Sequence, residues 1–247
     1  MQIITSLLLI ISKTKNVFTF FFTPCYLSPA TSGLTQEANM FFDYLLYTYG
    51  TNEPIFISDI TYDGMTQNNI RQQIMNYAAT GKLKRYDTGI YYIPKDSIFK
   101  TAPSLSQNSV IEKKYLYSGT ERCGYISGIN FANRIGLTTQ VPASCEVVTN
   151  KASKDYREAT LASEKIIIRK PRVMIDESNY KSLQFLDLLK DIDLYSELEG
   201  KELNNKIKTY MEKSGLQFQQ LEQYLSLYPD KIFRNMYKVG VLNGISA

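Results

Sequence analysis

A chain of 247 residues with 44% hydrophobic and 21% charged side chains carries enough apolar material for one large domain or two smaller ones, and two is the expectation. Its net charge of +4 is too small to make the whole surface a binder of polyanions, so any nucleic-acid footprint has to be a local patch. The absence of histidine excludes Ser-His and Cys-His nucleophiles, His-containing zinc sites and the usual neutral-pH general base.

The N-terminal stretch "MQIITSLLLIISKTKNVFTFFFTPCYLS" contains an apolar segment too short to span a bilayer, and no Lys or Arg precedes it as a secretion signal requires. Residues 1–39 are therefore expected to be an extension outside the domains, arising from an upstream start codon, with no membrane anchor; an ordered accessory segment and a secretion signal are the alternatives. Cys25, Cys123 and Cys145 are widely and irregularly spaced, which gives neither a metal pattern nor an even count for disulfides and points to the cytoplasm.

From Gln36 to Tyr49, Met40, Phe41, Tyr44, Leu45 and Tyr47 recur at three and four, the pattern of an amphipathic helix that Gly50 stops. "TNEPIFISDI" offers a turn and a short second helix with Ser58 or Asp59 at its start. In "MTQNNIRQQIMNYAATG", Thr66 is placed as an N-cap, Met65 and Ile70 as a hydrophobic staple, and Gly81 as the left-handed C-terminal residue. Ile70, Ile74, Tyr77 and Ala78 share one face, which leaves the amides and Arg71 outside. "KLKRY" and "IYYI" read as two strands closed by "DTG".

This order is that of a winged helix-turn-helix over residues 40–100. Asn and Gln amides pair bidentately with adenine edges and Arg with guanine, while hairpin lysines and arginines meet phosphates. The expected DNA contacts are Thr66, Gln67, Asn68, Asn69, Arg71, Gln72, Gln73 and Asn76 on the helix, with Lys82, Lys84, Arg85 and Tyr86 on the hairpin. The simpler reading is a solvated helix and a structural hairpin. What favours DNA is charge: from Met65 to Tyr86 the charged residues are Arg71, Lys82, Lys84 and Arg85, all positive.

A linker is expected from Pro94 to about Val110, then a mixed α/β domain over 101–247, giving an α+β protein overall. Within it Ser127 caps a short helix with Ile129, Ala132 and Ile135 inward and Gly136 at its end. "LTTQVP", "CEVVTN" and "KIIIRK" read as strands. The tail from Asn179 is helical in "LQFLDLLKDI", "NNKIKTYMEKSG", "FQQLEQYLSLYP" and "KIFRNMYKVGVL". Thr138, Thr139 and Gln140, and Arg169, Lys170 and Arg172, are second-domain candidates for a functional surface, DNA contact included. Their simpler reading is structural, since Gly136 and Pro142 already have backbone roles and a strand with basic ends is ordinary.

At "YDTGIYYIPK", "GINFANRIGLTTQVP", "IIIRKPR" and "LQFLDLL", in that order, the sequence resembles the AbiEi-type antitoxins, the DNA-binding half of type IV toxin-antitoxin systems, in particular their shorter winged-helix members. The resemblance runs from about Met40 to the C-terminus; residues 1–39 have no counterpart in it. It implies a winged helix that binds repeats in its own promoter and represses the operon; a palindromic operator would call for dimerisation on DNA. It also implies a C-terminal domain that counteracts a nucleotidyltransferase-type toxin without a stable complex, in phage defence. A stand-alone regulator is the alternative. A metal-dependent nuclease using carboxylates and a lysine such as Glu146, Glu164 and Lys165 is a weaker one, because the sequence offers no Asp and Glu-x-Lys pairing on adjacent strands and "EKIIIRK" puts its charges at a strand boundary. No catalytic residue, metal or cofactor is expected.

Overall fold

The computed structural model describes residues 33–95 and 105–244, so most of the expected N-terminal extension lies outside the described residues. Helix α1, Gly33–Tyr49, ends where Gly50 takes a φ of +76°. It buries Phe41 and Leu45, with Tyr44, Phe42 and Tyr49 beside them. Met40 and Tyr47, expected on that face, are exposed: at 100° per residue they fall outside the arc centred on Phe41 and Leu45.

Strand β1, Ile55–Phe56, leads into a single tight turn of helix at Ile57–Asp59, where a short α-helix was expected. Helix α2, Gln67–Ala79, and strands β2, Lys84–Asp87, and β3, Ile90–Tyr92, complete this part of the chain. The strands form an antiparallel sheet in the order β1-β3-β2. "IYYI" has no polar alternation, and the reason is that both faces of the sheet are covered. Ile55, Leu83, Tyr91 and Ile93 pack towards α1 and α2. Phe56, Ile90 and Tyr92 face the other way and join a cluster contributed mainly by residues 105–168.

That second cluster corrects the expected linker. Leu105, Val110 and Ile111 are buried in it, α3 spans Gln107–Ile111, and a wider helical turn follows at Glu112–Leu116. Only part of the segment, residues 96–104, lies outside the described residues. A short hairpin, β4 at Tyr117–Ser118 and β5 at Glu121–Arg122, precedes β6 at Gly124–Ser127. Gly124 is required by close approach: a Cβ there would lie 2.5 Å from the Tyr115 carbonyl oxygen and 2.8 Å from that of Val148.

Helix α4, Gly128–Arg134, follows Ser127 as expected, although the hydroxyl makes no capping bond. Its buried side chains are Phe131 and Ala132; Ile129 and Ile135 are half-buried. Strands β7, Ser144–Thr149, β8, Tyr156–Leu161, and β9, Glu164–Arg169, join β6 in a sheet ordered β6-β7-β9-β8, with β7 and β9 parallel and the other pairs antiparallel. "LTTQVP" is not a strand. Side chains, not a ladder, satisfy it: Asn133 Nδ2 donates to the carbonyls of Thr138 at 3.3 Å and Gln140 at 3.1 Å.

The tail is helical, as its periodicity indicates: α5, Tyr180–Lys190; α6, Ile192–Tyr195; α7, Gly200–Ser214; α8, Phe218–Glu222; and α9, Lys231–Lys238. Phe185, Leu186, Leu189, Ile207, Leu221, Ile232 and Met236 form its core, which also takes in Phe131 and Leu137. The architecture is thus α+β. Among the described residues no helix is long and apolar enough to cross a membrane.

Candidate nucleic-acid interface

The polar surface of α2 is built from both ends inward. Thr66 Oγ1 accepts the Asn69 N–H at 3.3 Å, and Gly81, at a φ of +79°, turns the chain so that Leu83 N–H donates to the Tyr77 carbonyl at 3.1 Å. With Ile70, Ile74 and Tyr77 buried, a spacing of 100° per residue puts Asn68, Gln72, Met75 and Ala79 down the middle of the outer face. Asn69 and Asn76 flank that line on one side and Arg71 on the other. Gln72 Nε2 donates to Asn76 Oδ1 at 3.2 Å. Asn68 and Arg71 are exposed, and their side chains have no hydrogen bond or ion pair with the described residues. Met75, 59% exposed, was missed by a reading that looked for polar groups, yet an apolar side chain there is suited to contact a thymine methyl.

Some expected contacts do structural work instead. Gln67 Nε2 donates to the Ile60 carbonyl at 2.9 Å, tying the start of α2 to the segment before it. Thr66 is the cap, and Gln73 is half-buried. Tyr86, counted with the DNA contacts, packs against the cluster shared with residues 105–168. The cationic positions beyond α2 are better placed. Lys82 Nζ lies 5.0 Å from the Phe42 ring centre and 5.7 Å from that of Tyr77, which directs an exposed ammonium beside the C-terminus of α2. Lys84 is exposed. Arg85 is oriented by Nε donating to the Asp87 carbonyl at 3.3 Å and Nη2 to Thr88 Oγ1 at 3.1 Å.

The candidates of the second part are mostly engaged within the chain. Glu197 accepts the Thr139 N–H at 2.9 Å and the hydroxyls of Thr138 at 2.8 Å and Thr139 at 3.1 Å; these donors, the Thr139 N–H foremost, hold its carboxyl below the ordinary value. Gln140 N–H donates to Thr138 Oγ1 at 3.1 Å. Arg169 pairs with Glu146 at 2.9 Å. Arg172 Nη1 donates to the Leu227 carbonyl at 2.8 Å, and its guanidinium lies 4.6 Å from the centre of the Tyr228 ring.

Those two arginines and the exposed Lys170 border a cavity of about 260 Å³ with Asp155 and Asp187. The Asp187 carboxylate accepts the Tyr125 hydroxyl at 2.7 Å, and burial pushes its pKa up. Of the residues considered for a nuclease, Glu146 is held by Arg169, while Lys165 pairs with Glu158 at 2.8 Å. Among the described residues no group of three or more Cys, Asp or Glu side chains is placed to hold a metal ion.

Comparison of the whole chain with protein-family models, with curated proteins and with solved structures finds no match.

Proposed function

We propose that residues 40–100 act as a winged helix-turn-helix in which α2 enters the major groove of DNA and Lys82, Lys84 and Arg85 meet phosphates. On this reading the chain is the DNA-binding antitoxin and autorepressor of a type IV toxin-antitoxin operon, working in the cytoplasm against a nucleotidyltransferase-type toxin. The observation that carries DNA binding is the outer face of α2: amides and one guanidinium, no carboxylate, and two polar side chains, Asn68 and Arg71, with no hydrogen bond or ion pair to the described residues. A helix of 13 residues is about 20 Å long and its width suits the major groove. The strand order β1-β3-β2 behind it is compatible with the winged-helix reading. The antitoxin assignment is supported by the four sequence blocks and their order.

Two measurements test these halves separately. Fluorescence anisotropy with a duplex from the chain's own promoter, at stated salt, should show binding on the order of 10³-fold tighter than to scrambled DNA. Equal affinity would withdraw the repressor reading. Growth of cells expressing the adjacent gene alone, and then with this chain, tests the other half: arrest without rescue would leave a DNA-binding regulator that is not an antitoxin.

A further inference from the structure

The tip of the β2-β3 hairpin is fastened to the second part of the chain. Asp87 Oδ2 accepts the Ala162 N–H at 2.8 Å across 75 residues of sequence, while Oδ1 accepts the Thr88 N–H at 2.6 Å within the turn itself. One carboxylate thus bonds both partners. Ala162, in the turn between β8 and β9, holds a left-handed φ of +54°, a conformation uncommon without glycine. Lys114, from the helical turn before β4, adds positive charge near the same carboxylate, as does Arg85 from the hairpin.

Behind this contact lies the apolar layer of Phe56, Ile90 and Tyr92, with Tyr86 against it. Apolar burial is non-directional, so that layer holds the sheet against residues 105–168 but does not by itself set its angle. A hydrogen bond with one donor and one acceptor does. The α1 and α2 side of the same sheet is packed independently through Ile55, Leu83, Tyr91 and Ile93. Whatever fixes the sheet therefore fixes α2.

We propose that Asp87 is a positioning residue for DNA binding: its bond to the Ala162 N–H fixes the hairpin, and with it α2, in one orientation to the second part of the chain, so that the protein meets the duplex as one body. This rests on the DNA-binding reading given above. Charge alone points the other way, because a carboxylate beside a phosphate-facing hairpin repels DNA, and removing it should tighten binding. The two ideas therefore differ in sign.

The experiment compares the full chain with Asp87→Ala, which leaves no acceptor for the Ala162 N–H, with Asp87→Glu and with a charge control, Asp63→Asn, each checked for folding by circular dichroism. Anisotropy on promoter and scrambled duplexes is expected to show promoter affinity falling roughly tenfold for Asp87→Ala and Asp87→Glu, with Asp63→Asn unchanged or tighter. A folded Asp87→Ala that binds the promoter as tightly as the wild type, or more tightly, overturns the proposal. If Asp87→Ala does not fold, Asp87→Glu, which keeps the charge and changes only the reach, decides in the same way.

A second readout needs no DNA. Spin labels at Tyr47→Cys and Tyr156→Cys, both exposed, in a background with Cys25, Cys123 and Cys145 replaced by Ala, report the distance between the two parts. The wild-type distribution should be narrow and broaden on Asp87→Ala; unchanged width would overturn the clamp. A wild type that binds no DNA, with the broadening still seen in Asp87→Ala, would sink the DNA-binding reading while leaving the clamp in place.

Discussion

The outer face of α2 and the polar residues of the second part look alike in sequence, both being runs of Asn, Gln, Thr, Arg and Lys without an obvious catalytic partner. In three dimensions they differ in where their hydrogen-bonding capacity goes. Thr138 and Thr139 give theirs to Glu197, Arg169 to Glu146 and Arg172 to the Leu227 carbonyl, whereas Asn68 and Arg71 have no side-chain bond with the described residues. A donor already used inside the chain contributes to stability; one left outside is free for a partner.

The largest effects that would break this comparison come from one arginine on each side. Arg71→Ala should cost about 2 kcal/mol in promoter binding with the melting temperature unmoved, as expected for a bidentate base contact. Arg169→Ala should do the reverse, destabilising the fold by about 2 kcal/mol because Glu146 is left largely buried without its cation, the half-exposed position of Arg169 moderating the loss. Denaturant titration and anisotropy on both variants would show whether the roles exchange. If Arg169→Ala weakened DNA binding at unchanged stability, the distinction between the two regions would fail.

A smaller effect sharpens the same picture on the hairpin. Lys84→Ala should weaken promoter and scrambled DNA alike and reduce the slope of log affinity against log salt by about 0.9, one phosphate's worth of released counterion. An unaltered slope would place Lys84 away from the backbone. Met75 gives a finer test, since replacing thymine by uracil removes only a methyl group. At a thymine that Met75 touches, uracil should cost the wild type about 1 kcal/mol and Met75→Ala nothing further. Equal sensitivity of both proteins at every thymine would remove Met75 from the interface.

The smallest predicted effects concern pH, where two aspartates work in opposite directions. The Ala162 N–H chiefly, then the Thr88 N–H and nearby cations, hold Asp87 below the ordinary carboxylate value against a weaker burial penalty. Its stabilisation is complete above about pH 4 and is lost as pH falls through the folded value. Burial raises Asp187 instead, against the Tyr125 hydroxyl and the charges of Lys190, Arg169 and Arg172. The folded state then holds the proton more firmly, so stability falls as pH rises through the window above about 4. Asp187→Asn keeps an oxygen for Tyr125 and should flatten stability in that window without lowering the melting temperature at pH 7. A lower melting temperature would mean that the ionised carboxylate is favoured by its cations.

Much of the fold was legible because it is written in local terms. Thr66 as cap, Gly81 as the left-handed residue, the buried stripe of Ile70, Ile74 and Tyr77 and the helical tail depend on residues within a turn or two of each other. "LTTQVP" misled because its bonds come from Asn133 and from Glu197, 58 residues on from Thr139. "YREATL" was passed over because five of its six positions are not buried, so an edge strand there carries little apolar alternation. Tyr86 was placed on the DNA side because a hairpin's two faces cannot be assigned until what covers each is known.

Four consecutive apolar residues, Ile90–Ile93, already require both faces of that strand to be covered. By itself the sequence determined the caps, the helix faces and the acid-free cationic stretch, since all follow from short-range geometry and composition. Only the tertiary structure decided which polar groups have internal partners and that Asp87 reaches Ala162, because such bonds depend on distant segments being brought within about 3 Å of one another.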